Sequence, residues 1–375
     1  YFLPYLAHAT MEPMNCTARV DAGQVEVWAP TQGPTSARQA AATAAGVKPG
    51  AVTVHSTFMG GGFGRRSHPD YVAEAVHVAQ ALSGRPVQVS WSREDDTQGG
   101  RYRPCSVNRL RGAVDADGMP VAWEHRIATP SVLAGMGNKG IDGTSVEGAS
   151  NLPYAIPNFR VTCAAPDLPV SLWFWRSVGS SQNAFVTECF LDELAALGGK
   201  DPVDLRLALL TDKPRHARAL QRAAEMAKYG SALGEGHAFG VAVHESFGSI
   251  CAQVADVSID GGKPRVHRVW CAVDCGQVVN PDAVEAQMDS CIAYGLSAAL
   301  YGRISLKNGA PVQSNFNDYP VVRLSDMPRV ETAIIAEGDP WGGVGEPGTP
   351  PIAPALCNAM RSLSGVPIRS LPILG

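Results

Sequence analysis

Alternating apolar and polar positions first appear at residues 16–29. There CTARV and QVEVWA flank Asp21-Ala22-Gly23, a pattern that predicts a β-hairpin. The Ala-rich run that follows has Pro34 placed for a first helical turn and Gly46 for a helix end, so it predicts a helix. AVTVHSTF (51–58) predicts a strand leading into MGGGFGRR, PDYVAEAVHVAQALSG (69–84) a helix, and PVQVSW (86–91) a strand. The order makes a strand–loop–helix–strand unit. Its glycine-rich loop leaves the carboxyl end of a strand, where open α/β sheets hold ligands.

Alternation returns in a second hairpin at 105–128, around Asp115-Ala116-Asp117-Gly118. Residues 129–156 are glycine-rich and aperiodic, the pattern of a long functional loop. FRVTCAA (159–165) predicts a strand. Helices are predicted at 181–197, with Phe190, Leu194 and Leu197 on one face, and at 202–210 and 215–228. The linker-like YGSALGEGHAFG places a boundary near 230, dividing the chain into regions 1–230 and 231–375. The second region predicts strands at 240–246, 252–259 and 265–274, a helix at 281–300, further short strands, and a Gly/Pro loop at 341–351. The fold class is α+β, with mixed helices and sheets.

A chain of 375 residues, 45% hydrophobic, can bury a large core. Its net charge of −4 gives no reason to expect nucleic acid or an anionic membrane as partner. No stretch reaches the ~20 apolar residues of a transmembrane segment. The nine cysteines are dispersed without a CxxC, which predicts free, mostly buried thiols and no iron–sulfur site. The opening Tyr1-Phe2-Leu3-Pro4 reads as a piece of something longer, or of a split subunit.

Three loops carry candidate chemistry. In WGGVGEPGTPP (341–351), glycines bring the backbone close to whatever lies above, and Pro347, Pro350 and Pro351 stiffen the exit from Glu346. By itself this is equally a turn with an exposed carboxylate. MGGGFGRR (59–66) lacks the Walker and Rossmann signatures, yet its glycines can turn bare amides toward an anionic or oxo ligand, and Arg65 and Arg66 are either phosphate-binding or solvated. FWRSVGSSQNAF (174–185) sets Arg176 at the approach to a helix start, which is either an anion site or an ordinary cap. DCGQVVNPDAVEAQ (274–287) starts a helix at Asn280-Pro281 carrying Gln287, facing inward or outward. His8, His55, His77, His125 and His244 occur singly, as structural residues, so no side-chain metal site is expected.

Taken together, HATMEPMNCTARV (8–20), APTQ (29–32), MGGGFGRR, WRSVGSSQNAF, DELA (192–195), VDCGQVVNPDAVEAQ, YGLSAAL (294–300) and GGVGEPGTPPIAP (342–354) follow the order and spacing of the xanthine oxidase family of molybdenum hydroxylases. The resemblance is nearest to large subunits of the isoquinoline 1-oxidoreductase, nicotinate and aldehyde dehydrogenase type. It implies a molybdenum–molybdopterin cytosine dinucleotide cofactor whose metal is held by dithiolene, oxo and sulfido ligands and by no side chain. It implies Glu346 as catalytic base, and Gln32, Gly61, Gly62, Phe63, Gly64, Arg176, Gln287 and Gly345 as cofactor-binding residues. Ser67 and Val178 fall in the substrate pocket. Val178 stands where many relatives have a stacking Phe, Ser67 where xanthine-type enzymes carry a second glutamate, and Asp289-Ser290 where Glu-Gly is usual.

No GQG-type pterin segment occurs in the chain, so the resemblance implies a second large-subunit piece completing the pterin site. A separate small subunit would carry [2Fe–2S] clusters. The implied reaction is hydroxylation of an N-heteroaromatic carbon with oxygen from water, an aldehyde being the other substrate class. The contrasting expectation is a non-catalytic assembly piece.

Overall fold

The computed structural model describes residues 1–138, 140–338 and 340–375. Three four-stranded sheets carry the architecture. In the first, the hairpin Asn15–Asp21 and Gln24–Ala29 lies centrally, with Val52–Ser56 at one edge and Val87–Ser90 at the other. The hairpin has the expected turn, Asp21 facing Gln24. Helices Pro34–Ala45 and Asp70–Gln80 pack on one another and on this sheet through Ala37, Ala41, Ala42, Ala75 and Val76, small residues that let the backbones approach.

The strand–loop–helix–strand unit needs one correction. Its two strands are not neighbours, because the Asp70–Gln80 helix carries the chain from one edge of the sheet to the other across the hairpin. Alternation alone cannot show that an earlier hairpin has already taken the middle.

The second sheet orders Phe2–Leu3, Ser106–Val114, Pro120–Ala128 and Asn158–Ala164, the last pair parallel. The third is an antiparallel meander of His237–Ser246, Ser249–Asp260 and Lys263–Asp274, with Arg329–Ile335 added in parallel. Its strands read as nearly continuous apolar runs because both faces are covered. Ala242, Cys251, Ala255, Cys271 and Val273 face a core with helices Pro281–Leu300 and Thr349–Ser364, while Val241, Val243, Ala252, Val254 and Ala272 face a core with Pro202–Leu209 and Pro214–Ala227. Adjacent residues pointing to opposite faces is the strand period of two.

The Thr349–Ser364 helix is a second correction, since Pro350 and Pro351 were expected to belong to a Gly/Pro loop running to residue 351. They occupy its first turn instead, where a fixed φ suits the helix and no amide donor is needed. All nine cysteines are free thiols, and only Cys105 and Cys163 are not fully buried. Among the described residues no helix is long and apolar enough to cross a membrane.

A buried ionic network ties the helices to the third sheet. Arg206 donates to Glu188 and to Asp192, each at 3.0 Å, and all three side chains are almost wholly inaccessible. Glu188 also accepts from the Tyr154 hydroxyl at 2.7 Å and the Val243 amide at 3.0 Å. The Asp192 of the DELA segment is therefore a structural carboxylate. Removing one partner from such a cluster leaves buried charge uncompensated. Arg206→Ala is expected to lose about 3–5 kcal/mol of stability, read from a urea unfolding curve; a loss within experimental error would show that the network contributes nothing.

Candidate active site

The segment 173–179 brings Arg176 into the interior. The Trp175 indole donates to Ala7 O at 3.2 Å and stacks on Tyr294 with ring centres 4.6 Å apart. Arg176 itself is only 3% exposed. Its Nε and Nη2 donate to Gly345 O (3.1 and 2.6 Å), Nη1 to Ser290 Oγ (2.9 Å) and Nη2 to Gln287 Oε1 (2.7 Å). Its guanidinium also lies 5.5 Å from the centre of the Phe63 ring, and Phe63 stacks on Tyr294 at 4.2 Å. One side chain thus joins the 59–66 loop, the Pro281–Leu300 helix and the 341–348 segment. The unusual Ser290 supplies one of its acceptors. Gln287 turns out exposed, with its amide oxygen directed to Arg176.

The glycine-rich loop is anchored from beneath. A Cβ on Gly62 would fall 2.5 Å from Gln32 Oε1, so a larger residue there would have to displace that side chain, and Gln32 Oε1 accepts from the Gly64 amide at 3.0 Å. Glu12 accepts from the Gly60 amide (2.7 Å) and from Arg66 (2.9 Å), while Arg66 Nε donates to Gly61 O at 2.8 Å. Arg65 makes a two-pronged pair with Asp70 at 2.9 and 3.0 Å. Neither arginine is solvated or free for phosphate, as one reading of the sequence had it; both are buried and hold the loop. The amides of Gly61, Gly62 and Phe63 have no protein acceptor among the described residues. The Ser67 hydroxyl donates to Gly64 O (2.6 Å) and accepts from the Trp173 indole (2.8 Å).

Glu346 directly follows the Gly345 carbonyl that Arg176 holds. Its carboxylate accepts from the Ser177 amide at 3.2 Å and its carbonyl from the Ser177 hydroxyl at 2.7 Å. Burial pushes its pKa above the ordinary glutamate range, against the opposing pull of the Ser177 N–H and the Arg176 charge. Ser177 and Val178 both have positive φ, 68° and 47°, a conformation that strains a β-branched valine.

The helix start that follows was expected to be an anion site or an ordinary cap. Its anion is the protein's own Glu147, whose Oε1 accepts from the Gly179 (2.6 Å) and Ser180 (3.3 Å) amides. A Cβ on Gly179 would meet Thr144 O at 1.7 Å, so glycine is required for this approach. Burial raises the Glu147 pKa as well, its two amide donors pull it back, and the nearby Asp142 and Glu346 charges add to the rise.

The structure therefore brings Gln32, Gly61, Gly62, Phe63, Gly64, Arg176, Gln287, Gly345 and Glu346 to one place. Ser67 reaches it through the Gly64 carbonyl, and Val178 through the strained loop. Sequence reasoning missed Glu12, Glu147, Ser177 and Tyr294, and marked Ser290 only as a departure from the usual glycine. Glu147 lies in the aperiodic 129–156 segment, where only its long-loop character marked it. Of the solitary histidines, His8 has both ring nitrogens hydrogen-bonded and its pKa pushed down to about 4 by burial, whereas His244 Nε2 is buried without a partner. Among the described residues no group of three or more His, Cys, Asp or Glu is placed to hold a metal ion.

Comparison with known proteins gives consistent matches. A family model described as a molybdopterin cofactor-binding domain matches residues 1–210, and a second of the same description matches 195–328. The chain is 35% identical to the isoquinoline 1-oxidoreductase subunit beta of Brevundimonas diminuta, over 97% of this chain and 48% of that protein. It is 30% identical to a membrane-bound aldehyde dehydrogenase [pyrroloquinoline-quinone] of Gluconacetobacter polyoxogenes, over 100% of this chain and 52% of that protein. Among solved structures, quinoline 2-oxidoreductase from Pseudomonas putida 86 superposes with a TM-score of 0.86 at 16% identity, covering 100% of this chain and 74% of that one, a likeness of fold. The chain thus spans about half the length of these two curated relatives.

Two outcomes follow from the electrostatics. A carboxyl whose folded pKa is raised binds its proton more tightly when folded. Its contribution to stability is therefore present at low pH and lost as pH rises through the folded value. Glu346→Gln lacks that loss, so its melting temperature relative to wild type is expected to climb as pH rises from about 4 towards neutrality; a difference independent of pH would contradict the raised pKa. Glu147→Ala frees two helix-start amides and is expected to lose about 0.5–2 kcal/mol, measured by urea unfolding, with Glu147→Gln losing less because its amide oxygen still accepts; equal losses would place the effect elsewhere.

Proposed function

This chain belongs to the molybdopterin cofactor-binding domain family, and from that membership we propose that it is the molybdenum-binding part of a hydroxylase of the xanthine oxidase type. The proposed reaction oxidises a carbon of an N-heteroaromatic substrate with oxygen drawn from water. The observation that carries the reading is the pairing of a partly buried Glu346, its pKa raised, with a glycine loop whose amides at 61–63 have no protein acceptor, both fixed on Arg176.

The residues fit such a group. Gly62 leaves room for a close approach over Gln32, and the site offers amide, guanidinium and carboxamide groups instead of a cluster of metal ligands. That donor set suits a cofactor whose metal carries its own ligands. When bound, in the proposed cytosine dinucleotide form, the cofactor would supply the metal and the acceptor for the two electrons removed from the substrate.

The chain's own residues do the rest. Gln32, the Gly61–Gly64 backbone, Arg176, Gln287 and Gly345 would hold the cofactor through amide, carboxamide and guanidinium groups. Glu346 takes a proton from the water-derived nucleophile as it attacks, a task favoured by a pKa near working pH. The Ser177 amide aims its carboxylate. Val178 presents a small side chain where an aromatic ring would sandwich a purine, and Ser67 is engaged with Gly64 and Trp173, so neither favours xanthine.

The relative named as an aldehyde dehydrogenase supports an aldehyde as second substrate class. The proposal includes two cofactor-binding regions, 1–230 and 231–375, that share the site. It also includes a [2Fe–2S] partner subunit and a further large-subunit piece that completes the pterin side. A non-catalytic assembly role is the contrasting reading, and molybdenum analysis of the chain with and without its partners separates the two.

The test is the reductive half-reaction of Glu346→Gln in the assembled enzyme, expressed per molybdenum. The account expects a fall of ~10²–10⁴-fold with molybdenum content retained. A variant keeping more than about a tenth of the wild-type rate would fall below that range and would make the 341–348 loop structural.

A further inference from the structure

Val178 and Gly179 also line a small cavity of about 10 Å³, which Arg103, Ser145, Trp175 and Gln182 help to wall. Arg103 lies in the short strand Tyr102–Arg103, paired with Leu6–Ala7, and is 3% exposed. Its hydrogen bonding is sparse. Nη2 reaches Pro4 O at a long 3.3 Å, the guanidinium lies 5.3 Å from the centre of the Trp175 ring, and Nε has no partner. Among the described residues no carboxylate comes within ion-pair distance of it, in contrast to the buried Arg65, Arg66 and Arg206; Arg176 also lacks one, but its donors are taken up by Gly345 O, Ser290 and Gln287. The nearby titratable groups are the phenols of Tyr294 and Tyr319 and the Cys105 thiol. Burial pulls the Arg103 pKa down to about 10, which leaves it charged at neutral pH.

A buried cation without a counter-charge is strongly unfavourable. Two other walls of the same cavity are also unsatisfied: Ser145 Oγ and Gln182 Oε1 are buried without hydrogen-bond partners, in residues each 3% exposed. The two ends of a glutamine amide exchange by a half-turn of the side chain, so Gln182 can present its N–H₂ instead. The residues that wall the cavity then offer three unpartnered donors, the Arg103 Nε–H, the Ser145 hydroxyl and the Gln182 amide. Its volume, close to the lower bound for one water, admits one atom-sized group.

We propose that this cavity is a subsite for a small monoanion, with Arg103 as its charge partner and Ser145 and Gln182 as hydrogen-bond donors. The occupant is either a free halide ion or one oxygen of an anionic substituent on the substrate. The first source stands independently of the proposed hydroxylase activity; the second rests on it. Val178 links the two sites, because the strained residue beside Ser177 and Glu346 is also a wall of the cavity.

Two measurements on the assembled, cofactor-loaded enzyme test this. In the first, crystals are soaked in bromide and examined by anomalous diffraction. The expected result is a bromide peak among Arg103, Ser145 and Gln182, weakened in Ser145→Ala and absent in Arg103→Met. In the second, KM is compared for an N-heteroaromatic substrate with and without a carboxylate, at constant ionic strength with and without chloride. If the anion belongs to the substrate, Arg103→Met raises KM for the carboxylated compound at least about tenfold, the scale of a hydrogen bond to a charged group, and leaves the other unchanged; chloride competes only with the former. Either result supports the subsite. The bromide arm in wild type needs neither a folded variant nor activity, so it reads out even where the proposed function fails. Water alone in the cavity after the bromide soak, together with KM values indifferent to the carboxylate, would overturn the proposal.

Discussion

The arrangement of the site depends on satisfying one buried guanidinium. Arg176 sits in the interior without a carboxylate hydrogen-bonded to it, and its donors go to a backbone carbonyl, a hydroxyl and a carboxamide. Leaving such a charge unpaired inside a protein is strongly unfavourable. The Gly345 carbonyl, Ser290 and Gln287 must therefore come to it, and they bring the 342–346 loop and a helix with them. The Phe63 ring against its face adds the glycine-rich loop to the same assembly. Segments more than 280 residues apart in sequence are held by this one side chain, from Phe63 to Gly345.

Two carboxylates then define the chemistry of the neighbouring loop. Glu346 is held by the Ser177 amide, and Glu147 by the amides of Gly179 and Ser180, so residues 177–180 are clasped from both sides. That clasp explains how Ser177 and Val178 keep left-handed backbone conformations without glycine at either position. Residues in such conformations persist where surrounding contacts over-determine them, and they gather at functional sites. Both carboxyls are buried enough to resist ionisation, and their mutual repulsion adds to that resistance for Glu147.

Much of the secondary structure was legible because period-two and helical patterns were strong, as in the Asp21–Gly23 hairpin and the Pro34–Gly46 helix boundaries. The Thr349–Ser364 helix was not, because its opening prolines read as part of the Gly/Pro loop unless they are recognised as a first turn. The motif segments 59–66, 174–179 and 342–346 lie together around Arg176. What stayed hidden was everything that depends on long-range partners. Arg65 and Arg66 look like surface charge in sequence, yet Asp70 and Glu12 take them inside. Glu147 capping a helix 33 residues later has no local signature. Ser290 gains its meaning only from Arg176, whose hydrogen bonds reach across 114 residues to it.

The central claim is that the 59–66, 174–179 and 342–346 segments form one wall around a molybdenum cofactor, with Glu346 as the group that takes the proton. A crystal structure of the assembled, cofactor-loaded enzyme tests this most directly. The account predicts molybdenum beside the Gly62–Phe63 backbone, bound by no protein side chain, with the Glu346 carboxylate within hydrogen-bond reach of the reacting oxygen, directly or through one water. Molybdenum ligated by a side chain, or lying out of reach of Glu346 and the glycine loop, would contradict it.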